Sequence, residues 1–388
     1  MPVAARPTQT TAAPLSQPSA RHDIRAVSSL FDMRADFVQA QPHGIGHIND
    51  TYCATFDQAG RQLRYVIQRI NHHVFRQPAL LMENISRVTR QALHTLLEAG
   101  HPEAHRRTLT CIPSRDGLPF ATDAEENYWR VYPFIEGASS LQQLGTNEQA
   151  WHAARAFGEF QKLAASLGGA RLHETIPDFH HTPRRLAALR EAVARDNAGR
   201  AAEVAAEIDF ALARSADCAR ITDMIAAGTI PERVAHNDTK LNNVLLDDTT
   251  SEGVCVIDLD TTMPGSVLYD FGDLVRTATP SSREDDPDPS AAVVKLDRFE
   301  ALVRGYLSSA DFLIQSELAN LAFSGKLITL EVGIRFLTDH LEGDHYFKIK
   351  RPGQNLDRCR NQFSYVRALE GAMTEMEDIV AQHCQTRT

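Results

Sequence analysis

The sequence predicts an α+β protein of two lobes, a small β-rich N-terminal lobe followed by a larger, mainly helical C-terminal lobe. Three observations lead there. Residues 42–70 hold apolar runs on either side of glycine-bearing and polar turns, the pattern of a strand hairpin. Residues 127–137 form an aromatic strand running into Glu136-Gly137, which reads as a hinge between lobes, although the aromatics equally suit plain core. Beyond it, Trp151, Ala154, Phe157, Phe160, Gln161 and Leu163 fall near helical spacing, and the last third of the chain is helical as well. A chain of 388 residues suits two or three domains. The divisions expected are a disordered leader over 1–23, an N-terminal lobe over 24–134 and a C-terminal lobe over 135–388.

Taken in order, residues 24–37 read as a short helix packed on the first lobe. Residues 42–56 and 61–70 form the hairpin, with Gly44 and Gly46 in its turn. Residues 78–97 are a helix. The pattern is helical from the hinge to Leu167, is broken by Ile176-Pro177 and Pro183, and resumes as two alanine-rich helices over 184–226. Composition narrows the function classes. A net charge of −10 argues against a nucleic-acid binder, and 43% hydrophobic residues supply a sizeable core. Six cysteines without a C-x-x-C pair read as reduced thiols, so a cytoplasmic location is expected. No run is apolar and long enough to span a membrane, and the first twenty residues lack a secretory h-region. The chain is expected to work as a monomer or weak homo-oligomer on small molecules.

The densest chemistry lies in His236-Asn237-Asp238-Thr239-Lys240-Leu241-Asn242-Asn243, followed by two apolar strands and then Asp258. Moving a γ-phosphoryl group requires a base to orient the acceptor hydroxyl and cations to neutralise the phosphate oxygens. In the H-R-D-x-x-x-x-N loop the aspartate takes the hydroxyl proton and the asparagine five residues on holds magnesium. Asp238 and Asn243 stand at that spacing. Lys240 is placed to meet a phosphate oxygen, and the strand hairpin returns Asp258 beside the loop as the second metal ligand. Asp270-Phe271-Gly272 spells D-F-G, but too far downstream and after Met263-Pro264-Gly265 rather than off a strand. Asp270 is therefore expected to open a helix and accept hydrogen bonds from the catalytic loop's backbone.

This chemistry calls for ATP and Mg2+, and the first lobe offers places for the nucleotide. Gly44 and Gly46 would let backbone N–H groups approach the phosphates. The strand Tyr65-Val66-Ile67-Gln68-Arg69-Ile70 stands where kinases carry V-A-I-K, without the lysine. Gln68 and Arg69 face opposite sides of the strand, so only one can substitute. Arg69 keeps the charge and is preferred, the alternative being a surface residue, with Glu83 of the next helix as its expected partner. Pro133 and Ile135 at the hinge are expected to meet the adenine. His180-His181 lacks a third ligand at fitting spacing and reads as a structural or substrate-side loop. The acidic stretch 281–289 reads as solvated. Glu331, Arg335 and Asp339 fall at i, i+4 and i+8, most simply a surface salt-bridge row.

The run His-Asn-Asp-Thr-Lys-x-Asn-Asn at 236–243, Val-Ile-Asp-Leu-Asp-Thr-x-Met-Pro-Gly-Ser at 256–266 and Asp-Phe-Gly-Asp at 270–273 resemble the aminoglycoside phosphotransferase and choline kinase superfamily. Within it the chain is most similar to the N-acetylhexosamine 1-kinases, over nearly its whole length after the first two dozen residues. The resemblance implies a two-lobed protein-kinase-like fold. It also implies ATP- and Mg2+-dependent phosphorylation of the anomeric hydroxyl of N-acetylglucosamine or N-acetylgalactosamine. The matching Gly-His-Ile-Asn-Asp-Thr loop makes His47 and Asn49 candidates for facing sugar or phosphates. The matching Arg-Phe-Leu-Thr-Asp and Asp-x-Tyr-Phe-Lys motifs make Arg335 and Tyr346 candidates for sugar contacts. Two alternatives stand beside this reading. One is a kinase of another alcohol, such as an aminoglycoside or choline-like amine, and the other is a sugar sensor without turnover. A protein substrate is disfavoured by Asn237 in place of the arginine and by the lack of an A-P-E motif.

Overall fold

The structure is a computed structural model that describes residues 22–44, 48–141, 143–288 and 292–385. It begins with helix α1 (Ile24–Ser28), whose N-terminus is capped by the Asp23 carboxylate on the amide of Ala26. The helix expected through Phe37 stops there, because the chain turns into strand β1 (Asp36–Pro42). Next come β2 (Asp50–Gln58), β3 (Arg61–Ile70), α2 (Pro78–Glu98), α3 (Ala104–Arg107), β4 (Ala121–Thr122) and β5 (Tyr128–Pro133). The five strands form an antiparallel sheet in the order β1-β2-β3-β5-β4.

Period-2 alternation gives this sheet two unlike faces. Tyr52, Phe56, Ile67, Trp129 and Val131 point to one side and pack under Ile24, Val27 and Phe31. The other side carries a polar row, Thr51, Gln68 and Arg130, aligned across β2, β3 and β5 by the register of the strands. Helix α2 starts with proline, which suits the first helical turn. Its buried stripe of Leu81, Met82 and Ile85 joins Ile70 and Tyr132 to the core of the second lobe.

The second lobe opens with β6 (Ala138–Ser140), so helix does not start at the hinge. It starts at α4 (Asn147–Ala165), fixed by a capping box between Thr146 and Gln149. Three helices rather than two precede the catalytic loop: α5 (Thr182–Arg195), α6 (Ala205–Leu212) and α7 (Ser215–Ala226). Short strands frame that loop. β7 (Arg233–Ala235) pairs with β10 (Met263–Gly265), and β8 (Val244–Asp247) lies between β6 and β9 (Gly253–Val256). Met263-Pro264-Gly265 is thus a strand, contrary to expectation, and leads into α8 (Val267–Ala278).

The remaining helices are α9 (Leu296–Leu307), α10 (Gln315–Leu318), α11 (Leu321–Glu342), α12 (Gln354–Gly371) and α13 (Met373–Gln385). Buried on nearly all sides, α11 is the hub against which α5, α8 and α12 pack. Gly272 makes the α8–α11 approach possible, since a Cβ there would run into the carbonyl of Ser324. The glycine of the D-F-G triplet therefore serves helix packing. All six cysteines are free, and no helix among the described residues is long and apolar enough to cross a membrane.

Candidate active site

The catalytic loop leaves β7 and is held by the polar groups around it. Asp270, in the first turn of α8, accepts the amide of His236 at 2.8 Å on one carboxylate oxygen and that of Asn237 at 2.7 Å on the other. Gln161 of α4 donates to the same carboxylate, and the Thr239 hydroxyl donates to the Asp270 carbonyl. Asn237 is in the left-handed region, φ 64°, which asparagine tolerates better than most residues. Its side-chain amide donates to the carbonyls of Ala235 and Thr261. Nε2 of His236 lies 3.0 Å from the Ile257 carbonyl, and the Thr261 hydroxyl donates to the carbonyl of His236 at 2.7 Å. The loop is thereby sewn to the segment that carries Asp258.

On this frame Asp238 faces the cleft with Lys240, whose ammonium lies 2.7 Å from a carboxylate oxygen. Burial works to raise the Asp238 pKa, but the Lys240 charge outweighs it and holds the carboxyl below its ordinary value. Asp238 is therefore an ionised acceptor at neutral pH. Asn243 turns its Nδ2 inward, donating to the Asp238 carbonyl at 2.8 Å and to its carboxylate at 3.1 Å, which leaves Oδ1 as the outward atom. The β8–β9 hairpin brings Asp258 back beside the loop, with the amide of Ile257 on the carbonyl of Asn243 at 2.9 Å.

Asp258 sits at φ 58° and its carboxyl is pushed up to about 6, first by the protein crowded around it and then by the negative charges of Asp260 and Asp238. A carboxylate destabilised in this way suits a cation. Among the described residues no cluster of three or more His, Cys, Asp or Glu forms a metal cage. Mg2+ is ordinarily held by one or two protein oxygens with substrate phosphates and water completing the shell. The hard oxygens of Asp258 and Asn243 fit such a site.

Other expected positions lie elsewhere. Arg69 is on the sheet face away from the catalytic loop, paired with Asp50 at 2.6 Å and with its fork toward Asn127. Its neighbour Gln68 is on the cleft side, as strand alternation demands, and holds Arg130 with a 3.0 Å bond from Nε to Oε1. Arg130 in turn forms an ion pair with Asp260, both residues being almost fully buried. The cation on this face thus comes from β5. An arginine alone between Trp129 and Val131 was the available signal, since a central strand seldom buries a charge without a partner. Glu83 lies beside His173 at 3.0 Å, away from Arg69, and Asn84 of α2 points inward, donating to the carbonyls of His173 and Thr262.

Gly44 has φ 76°, as a turn in this loop requires, and Gly46 and His47 lie outside the described residues. Asn49 donates to Asp260 at 2.6 Å and accepts the amide of Asn71 at 3.0 Å, so its amide ties the loop to the segment that follows Asp258. At the hinge, β5 ends at Pro133 and the amide of Phe134 continues the ladder to the carbonyl of Arg64. Pro133, Phe134, Ile135 and Glu136 line one side of a cavity of about 430 Å³ that Arg106 and Thr108 close on the other.

The expected surface row on α11 is not one. Glu331 is fully buried and accepts from the Thr182 hydroxyl at 2.6 Å, with Nδ1 of His180 at 2.8 Å. Asp339 is buried too and accepts the amides of His345, Tyr346 and Phe347. Arg335, between them, lies 5.5–5.8 Å from the rings of Phe179, Tyr346 and Phe347 and reaches the Tyr346 hydroxyl at 3.4 Å. Phe179 precedes His180, whose Nε2 is 3.0 Å from the Asn237 carbonyl, so this patch adjoins the catalytic loop.

A family model described as the phosphotransferase enzyme family matches residues 39–307. Solved structures share the fold. An aminoglycoside phosphotransferase from Alicyclobacillus acidocaldarius aligns with TM-score 0.59 and 17% identity over 94% of this chain and 98% of that one. A microcompartment-associated aminopropanol kinase aligns at 0.52 and 17%, over 91% and 98%. A spectinomycin phosphotransferase in complex with ADP and spectinomycin aligns at 0.51 and 14%, over 89% and 97%.

Proposed function

The chain belongs to the phosphotransferase enzyme family, and from that premise we propose that it transfers the γ-phosphoryl group of ATP to the anomeric hydroxyl of an N-acetylhexosamine. One observation supports the reaction above others: Asp238, Lys240, Asn243 and Asp258 converge at one end of the β8–β9 hairpin. Asp238 receives the acceptor hydroxyl's proton, and its ionised state matches that task. Lys240 is half-exposed beside it and moves its charge toward the transferring group as the hydroxyl takes its place on Asp238. Asn243 and Asp258 would hold Mg2+, which when bound neutralises phosphate charge.

The acceptor class follows from the patch beside the loop. Arg335 with Phe179, Tyr346 and Phe347 offers donors and ring faces, which suit a neutral polyol. A cationic aminoglycoside or amine calls for free carboxylates, yet Glu331 is consumed by His180 and Thr182. The test is ADP release with ATP, Mg2+ and a panel of sugars, aminoglycosides and amines, with phosphorus NMR of the product. A sugar 1-phosphate from N-acetylglucosamine or N-acetylgalactosamine is expected. Turnover of kanamycin or choline alone would reverse the acceptor assignment, and sugar binding without any ADP would indicate a sensor.

A further inference from the structure

The catalytic aspartate's own peptide is held from a side that the loop motif does not account for. Asp270 fixes the amide of Asn237, and the carbonyl of the same residue, the one joined to Asp238, is met by Nε2 of His180 at 3.0 Å. His180 comes from the loop before α5, 57 residues upstream of Asn237. Its Nδ1 lies 2.8 Å from Glu331 of α11, and the other Glu331 oxygen is taken by Thr182. Both side chains are almost wholly out of solvent.

We propose that His180 is a positioning residue for phosphoryl transfer, clamping the Asn237 carbonyl so that Asp238 is aimed at an acceptor bound on Phe179 and Arg335. A carbonyl that is not pinned lets a left-handed asparagine swing the following side chain, and a base displaced by about 1 Å costs on the order of 10²-fold in rate. The location ties this clamp to the acceptor. Phe179 precedes His180, and Arg335 lies one helical turn after Glu331. The bond to the Asn237 carbonyl needs a proton on Nε2, and opposite the Glu331 carboxylate Nδ1 carries one as well. The charged and titratable groups around the ring are Glu331 and Arg335 of α11, Arg185 of α5 and Tyr269 of α8. Burial disfavours the imidazolium, and the Glu331 carboxylate outweighs it, leaving the His180 pKa above its ordinary value.

The inference rests on the phosphotransfer reading, so turnover by the wild-type protein is established first; silence there overturns that reading, while exchange data still test the clamp. The variants are His180→Leu, His180→Gln and Glu331→Gln in the full chain. His180→Leu is expected to lower kcat about 10- to 100-fold with the ATP KM within about twofold. It should also speed hydrogen exchange in residues 235–239. His180→Gln, whose amide can still donate to the carbonyl, is expected to recover most of both. Glu331→Gln, whose amide can donate to Nδ1 of a neutral ring while the Nε2 proton stays on the Asn237 carbonyl, is expected to remove the His180 contribution to the alkaline limb of kcat. Equal damage in the Leu and Gln variants, or an alkaline limb unmoved in Glu331→Gln, would show simple packing and overturn the clamp. So would unchanged exchange and kcat in His180→Leu.

Discussion

Arg130 on β5 and Asp260, two residues beyond Asp258, form a buried ion pair that joins the two lobes. Asn49 donates to the second oxygen of Asp260, so one carboxylate gathers the loop after Gly44, the central sheet and the segment that follows Asp258. Breaking a buried pair strands the remaining charge, at a cost of about 3–5 kcal/mol. Arg130→Met should therefore destabilise the fold by about that amount in urea denaturation. Combining it with Asp260→Asn should cost less than the two changes summed, because the stranded charge is removed. Additive losses would mean that each side chain acts through other partners.

Asp238 is held ionised by Lys240, and in the proposed reaction it takes the acceptor hydroxyl's proton. Asp238→Asn keeps the shape and removes the basicity, so kcat should fall by roughly 10²–10⁴-fold, the usual share of a general base. Nucleotide affinity measured by calorimetry should stay within about twofold, since the transition-state interaction is lost rather than ground-state binding. Near wild-type turnover would remove Asp238 from the proton-accepting role.

What the sequence showed and what it hid follow from the range of the interactions involved. The loop, its hairpin and the restraint by Asp270 are local in sequence or motif-bound, and spacing alone placed them together. Arg69 failed as the anchor because strand parity decides which of two neighbours faces the cleft, and parity needs the register of β2, β3 and β5. Glu331 and Asp339 read as surface residues because, with Arg335 between them, they fall at i, i+4 and i+8, the spacing of a solvated row. They are buried because α11 is surrounded by other helices, a fact of tertiary packing. His180 was legible only as a histidine pair without a metal. Its partner Glu331 lies 151 residues away.

The His180–Glu331 pair also makes stability depend on pH. His180 has a raised pKa in the fold, so its stabilisation is complete below its ordinary value of 6.5 and is lost as pH rises through the higher folded value. Glu331 has a lowered pKa, so its share is complete above its ordinary value of 4.5 and is lost as pH falls through the lower folded value. Both contributions are full between those two ordinary values. The melting temperatures of the wild type and His180→Gln should differ most near about pH 5.5, and the difference should shrink as pH rises through the raised folded value of His180. A difference that does not change with pH would mean that the pair is not ionised.

Under the proposed reading Arg335 is central to the acceptor patch, because its guanidinium lies 5.5–5.8 Å from the rings of Phe179, Tyr346 and Phe347. A planar fork that stacks and donates at once has no equivalent in an ammonium, so Arg335→Lys is not a conservative change. It should raise the acceptor KM by about tenfold or more while leaving the ATP KM unchanged, in line with the loss of a charge-assisted bond worth about 1.5–3 kcal/mol. Tyr346 is 70% exposed, and its hydroxyl accepts from Arg335 at 3.4 Å while its ring faces the same guanidinium. Tyr346→Phe should therefore cost less, about two- to tenfold in acceptor KM, as expected for one neutral hydrogen bond. Steady-state kinetics with each substrate varied in turn separates the cases. If Arg335→Lys raised the ATP KM instead, the patch would belong to the nucleotide side of the cleft, and the acceptor would have to enter from elsewhere.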